Sequence, residues 1–161
     1  GGGCTYQNLS NSAELIATNK SPSTYQYSAI DITGEFVNRI VRRLGNGFSD
    51  VDPGCIDTLP SALDLYNQMK LLDSSINLGT SIQFTIKNRS THVSNGQYTR
   101  VIKLSLGTNM VRSVGENGVV GEDEGMFIPP GYVRVILLRL SSIVPPYQFT
   151  VYNISNNLGY S

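Results

Sequence analysis

The sequence predicts a mainly β, α+β domain: an antiparallel β-sandwich, with a jelly-roll variant also fitting the length. Two helices lie between the first strand and the C-terminal strands. Three observations lead there. Segments after residue 80 alternate apolar and polar residues with a period of two. Two earlier segments carry apolar residues at helical spacing. Gly, Asn and Pro punctuate the chain at turn-like intervals, with two Pro-Pro pairs at 129–130 and 145–146.

Taken in order, residues 1–24 are small and polar with one short apolar patch, Leu15 to Ala17. They predict a flexible N-terminal arm ahead of a single β-rich domain over 25–161. "TYQYSAIDIT" predicts a strand, with Ile30 and Ile32 on one face and Tyr25, Tyr27 and Ala29 on the other. "GEFVNRIVRRLGNG" predicts a helix over 35–44. Phe36, Val37, Ile40, Val41 and Leu44 form its stripe, Thr33 caps it, and Gly45-Asn46-Gly47 ends it. "LPSALDLYNQMKLLDSS" predicts a second helix over 61–72, buried through Ala62, Leu65, Tyr66, Met69 and Leu72.

The remainder predicts strands. In "SIQFTIKN", Ile82, Phe84 and Ile86 point inward while Gln83, Thr85 and Lys87 point outward. In "YTRVIKLSL", Ile102, Leu104 and Leu106 point inward. Asn95-Gly96 between them favours a tight turn, so 81–106 predicts an antiparallel hairpin. The run ending "YVRVILLRL" is nearly all apolar, the mark of a central strand. "PPYQFTVYNI" supplies the last strand, with Tyr147, Phe149 and Val151 on one face.

The balance of charge narrows the function. Of 161 residues only 15% are charged, and twelve basic residues offset twelve acidic ones. No sustained field draws in nucleic acid, so no sequence-specific nucleic-acid partner is expected. Near-zero net charge is compatible with self-association. The longest apolar stretch falls far short of the ~20 residues of a membrane-spanning helix, so no transmembrane segment is expected.

Chemistry-bearing residues are sparse. Glu122, Asp123 and Glu124 form an acidic triplet between glycines and are candidate oxygen ligands for a hard cation. Their consecutive spacing suits a solvated turn better, and neither a metal nor a cofactor is expected. His92 is the single histidine and sits at the predicted hairpin tip, a poor place for a preorganised base. No catalytic residue is assigned. "GENGVVG" lacks the lysine and helix signal of a phosphate loop. Cys4 and Cys55, the two cysteines, are a candidate disulfide closing a loop of roughly 50 residues, worth ~4 kcal/mol in the chain-entropy model. Gly3-Cys4 also permits a lipid anchor at Cys4. Arg39, Arg42 and Arg43 on the predicted helix, with Tyr25 and Tyr27, are candidate partner contacts. Sequons at Asn8, Asn19, Asn88 and Asn153 permit glycosylation in a secreted eukaryotic protein.

These features favour a non-enzymatic structural or binding module that assembles with itself or with protein partners, as a virion capsid or spike subunit or a surface-assembly component. The expected location is extracellular, on a virion or in a cell envelope. Two alternatives stand beside it: a bacterial cell-envelope lipoprotein anchored at Cys4 and serving as a periplasmic assembly or secretion factor, and a small hydrolase using the acidic triplet.

Overall fold

The computed structural model describes residues 5–6, 14–19, 25–34, 39–44, 55–89, 93–94, 97–98, 101–113 and 127–154. Its elements follow the chain as β1 (Thr5–Tyr6), β2 (Glu14–Asn19), β3 (Tyr25–Gln26), α1 (Ala29–Thr33), β4 (Arg39–Leu44), β5 (Cys55–Thr58), α2 (Ala62–Leu72), β6 (Ser81–Asn88), β7 (Val93–Ser94), β8 (Gln97–Tyr98), β9 (Ile102–Ser105), β10 (Met110–Arg112), β11 (Phe127–Ile128), β12 (Val133–Ser142) and β13 (Gln148–Asn153). The described residues are mainly β with two helices.

Alternation builds the strands, and α2 follows from its stripe. On β12, Arg134, Ile136, Leu138 and Leu140 are buried while the intervening residues are half-buried or exposed. On α2, Ala62, Leu65 and Met69 face the core, and the Ser61 hydroxyl accepts the Asp64 amide hydrogen at 3.1 Å. This satisfies one of the orphan donors at the helix start.

The larger sheet has the order β10-β13-β12-β6-β4-β2, with β1 pairing the first residues of β6. The smaller sheet runs β11-β9-β5-β3, and β7 pairs β8 separately. One apolar core joins them. It takes Ile40, Phe84, Ile136 and Phe149 from the larger sheet, Ile102, Leu104 and Ile128 from the smaller, and Ile32, Leu65 and Met69 from the helices. Each such buried side chain contributes about 1.5–3 kcal/mol of transfer free energy.

The structure corrects several expectations. Both sheets are mixed rather than antiparallel: β4 runs parallel to β2 and to β6, and β5 runs parallel to β3 and to β9. The helix expected over 35–44 is replaced at 39–44 by β4. Ile40, Val41 and Arg42 are all buried, because β4 is bonded on both edges and covered on both faces. A strand in that position shows no alternation, and its short apolar run imitates a helical stripe. β-branched Ile40 and Val41 suit the pleated position.

The hairpin over 81–106 does not form. β6 pairs with β12 and β4, whereas β9 lies in the other sheet between β11 and β5. The inward faces nevertheless match the expected ones: Ile82, Phe84, Ile86, Ile102 and Leu104 are all buried. Lys87, expected outward, is also buried, since β6 is a central strand. Val93–Ser94 pairs antiparallel with Gln97–Tyr98, while the expected Asn95-Gly96 turn lies outside the described residues. The strand expected over 25–32 splits into β3 and α1. Within the predicted arm, β1 and β2 join the larger sheet.

Candidate functional site

Ser28 decides where β3 ends and α1 begins. Its hydroxyl accepts the Asp31 amide hydrogen at 3.0 Å, and the Asp31 carboxylate accepts the Ser28 amide hydrogen at 2.9 Å, a reciprocal cap. Gly34 closes the helix with φ +45°, a left-handed conformation glycine adopts without strain. Tyr25 Oη also donates to Asp31 Oδ2, at 3.1 Å.

Behind this corner lies a buried charge pair. Arg42 of β4 in the larger sheet reaches Asp57 of β5 in the smaller. Nε donates to Oδ2 at 2.9 Å and Nη2 to Oδ1 at 3.0 Å, and both side chains are fully buried. Tyr27 Oη donates to the same Oδ2 at 2.7 Å. The Arg42 guanidinium lies 5.0 Å from the Tyr25 ring centroid, and the Tyr25 and Tyr27 rings meet edge to face at 4.9 Å. The fork-to-carboxylate geometry is the strong form of such a contact. It ties one sheet to the other. Burial pushes the Tyr25 hydroxyl above its ordinary value near 10. The Asp31 charge and its hydrogen bond add to the rise, and Arg42 opposes it.

Tyr27 also lines a groove of about 710 Å³ between α1, α2 and the 106–108 turn. The turn is held against the approach to α2, with Leu59 N–H donating to Ser105 O and Ala62 N–H to Thr108 O, each at 2.9 Å. Gly107 permits this. A Cβ there would stand 2.0 Å from the Pro60 carbonyl oxygen. Gln26 Nε2 donates to the carbonyls of Tyr27, Thr58 and Leu59 and so fixes the wall. The lining mixes amides and hydroxyls (Ser28, Asn67, Gln68, Thr108) with aliphatic Ile30 and Leu71. Asp64 is its one charged side chain among the described residues. Such a surface offers hydrogen bonds and apolar contact to an uncharged ligand segment.

The structure therefore brings together three predicted contact residues, Tyr25, Tyr27 and Arg42. It turns two of them inward. Arg42 and Tyr27 are completely buried, so they bind each other's neighbour Asp57 and present no surface to a partner. Arg39 and Arg43 lie on β4, and Cys55 opens β5, but their side chains fall outside the described residues, as do Cys4, His92 and the triplet Glu122, Asp123 and Glu124. Asn88 is buried and donates Nδ2–H to the Ile128 carbonyl at 2.8 Å, which removes its sequon from glycosylation in the folded chain. Sequence reading missed Asp57 and the buried Arg134. Each has only its place in a strand as a signal, and its partner is set by tertiary pairing.

Among the described residues no helix is long and apolar enough to cross a membrane. No family model, curated protein or solved structure compared with the chain matches it.

Proposed function

We propose that the chain is a non-enzymatic structural or binding module that assembles with copies of itself or with protein partners, as a virion or surface-assembly subunit at an extracellular, virion or cell-envelope location. The observation that carries this reading is a cluster of large apolar side chains in water. Val144 is 74% exposed and Leu78 55%, and Ile143 and the 145–146 prolines beside Val144 are exposed too. They share one end of the larger sheet. Gly79 N–H donates to the Leu140 carbonyl at 2.8 Å, and Leu140 N–H donates to Thr80 O at 2.9 Å, which sets Leu78 beside the end of β12. Stacked Tyr66 and Tyr147 rings, 3.9 Å between centroids, continue the surface toward α2. Single exposed aliphatics are ordinary, whereas a grouped set marks an interaction surface. Zero net charge leaves little long-range repulsion to oppose association.

Light scattering on size-exclusion fractions over a range of protein concentrations tests the reading. The expected result is a mass that rises with concentration, and that Val144→Asp combined with Leu78→Asp returns to the monomer. A wild-type chain that stays monomeric at every concentration, and has no partner, sinks it.

A further inference from the structure

Past the last rung of the β12–β13 ladder, Ser142 opposite Gln148, the chain reverses through Ile143, Val144, Pro145 and Pro146, and all four are exposed. The turn is braced at its base. Ser142 Oγ donates to the Val144 carbonyl at 3.0 Å, and Ser141 Oγ donates to the Gln148 carbonyl at 3.2 Å. The two prolines have no N–H that would lose a water partner on being covered. No residue from Ser141 to Gln148 is charged. Cations lie beside the turn instead. The Arg139 guanidinium stands next to Gly79, where a Cβ would lie 3.7 Å from Nη2, and Gly79 follows the exposed Leu78. Lys70 shares a face of α2 with Tyr66, whose ring stacks on Tyr147.

The groove between α1, α2 and the 106–108 turn has the complementary character. Ile30 of α1 and Leu71 of α2 line it and are both largely exposed, and Asp64 is its one charged side chain among the described residues. Asp64, Gln68 and Leu71 recur at i, i+4 and i+7 on the groove side of α2, whereas Tyr66 and Lys70 lie on another side. Turn and groove therefore open in different directions. We propose that the groove receives the 143–146 turn of a second copy of this chain, in a head-to-tail contact. This rests on the assembly reading and names its partner and its geometry. The volume, about 710 Å³, falls within the roughly 300–1,000 Å³ of sites that enclose a ligand, which gives Val144 and the prolines room. Charge selects the groove over the patch itself. Two patches meeting by two-fold symmetry would bring Arg139 and Lys70 of one copy against those of the other. Against the groove, the same cations approach Asp64, which has no ion pair among the described residues. Because turn and groove are different surfaces, each added copy leaves one of each free, and the contact propagates into a ring or a filament.

The test is light scattering on two variants of the full chain, apart and mixed. Leu71→Asp alters the groove and keeps the turn, whereas Val144→Asp with Leu78→Asp alters the turn and keeps the groove. All three positions are exposed, so both variants are expected to fold, which circular dichroism checks. Each variant alone is expected to need at least about tenfold more protein than wild type to associate. Their equimolar mixture is expected to associate again and to stop at a one-to-one pair. The intact turn of one then fills the intact groove of the other, and no second such contact is left. Association of Leu71→Asp at the wild-type concentration overturns the proposal and leaves the assembly reading standing, since it is the behaviour of a two-fold contact of patch on patch. A mixture that stays monomeric where wild type associates overturns it as well. A wild type monomeric at every concentration overturns both the proposal and the self-association it rests on.

Discussion

Replacing Asp57 by Asn keeps the shape of the side chain and removes the charge that Arg42 faces. In the wild type, one carboxylate accepts from Arg42 Nε at 2.9 Å, Arg42 Nη2 at 3.0 Å and Tyr27 Oη at 2.7 Å. An amide has one acceptor oxygen. Whichever way it is turned, its NH2 group faces a donor of Arg42, Nη2 or Nε, so at least one of the three contacts becomes a donor–donor clash. The arginine is then a fully buried charge with no carboxylate from β5. Breaking a buried pair from one side typically costs about 3–5 kcal/mol, against a total stability of about 5–15 kcal/mol for a domain. Removing both charges is a different perturbation, since replacing a buried pair with apolar residues of similar volume is often neutral. Asp57→Asn is therefore expected to lose about 3–5 kcal/mol, and Arg42→Met with Asp57→Leu to lose markedly less than the two single changes combined. Urea titrations with linear extrapolation, assembled into a double-mutant cycle, supply the numbers. A cost under about 1 kcal/mol for Asp57→Asn, or additive single effects, would refute the idea that this pair pins the two sheets through a desolvated charge contact.

Three further outcomes are expected. Gly107→Ala should destabilise the chain by about 1–3 kcal/mol, because its Cβ would strike the Pro60 carbonyl and push the 106–108 turn away from α2; an unchanged urea midpoint would mean the turn yields freely. Ile102→Asp places an unpaired carboxylate in the core and should unfold the domain, whereas Lys103→Asp, at an exposed position, should cost within about 1 kcal/mol; circular dichroism of the two variants checks this pair. The raised Tyr25 hydroxyl makes stability depend on alkaline pH. Its contribution is complete below the ordinary value near 10 and is lost as pH climbs toward the raised folded-state value. Tyr25→Phe should flatten that limb of the pH–stability curve, and an identical limb in the variant would show that another group governs it.

What could be read from the sequence was the environment of individual positions. The spacing of Ala62, Leu65 and Met69 and the alternation through Ile82, Phe84, Ile86, Ile102 and Leu104 are local patterns, and each fixes which side of its element faces the core. Such patterns carry no label for the neighbouring strand. β6 and β9 each show the right face, yet they sit in different sheets, because many pairings bury the same side chains and only the assembled core selects one. The same gap hid β4. Ile40, Val41 and Arg42 form a strand because β2 and β6 take up both its edges and the fold covers both its faces, information absent from the segment.

The site divides along the same line. The sequence by itself determined that Tyr25, Tyr27 and Arg42 are polar side chains in apolar-flanked segments, and it left them facing outward toward partners. The tertiary structure alone decided that Arg42 meets Asp57 across two sheets and that Arg134 is buried without a carboxylate from the described residues. The physical reason is that burial periodicity is a property of one segment, whereas the satisfaction of a buried charge depends on which distant segment the folded chain brings to within about 3 Å of it.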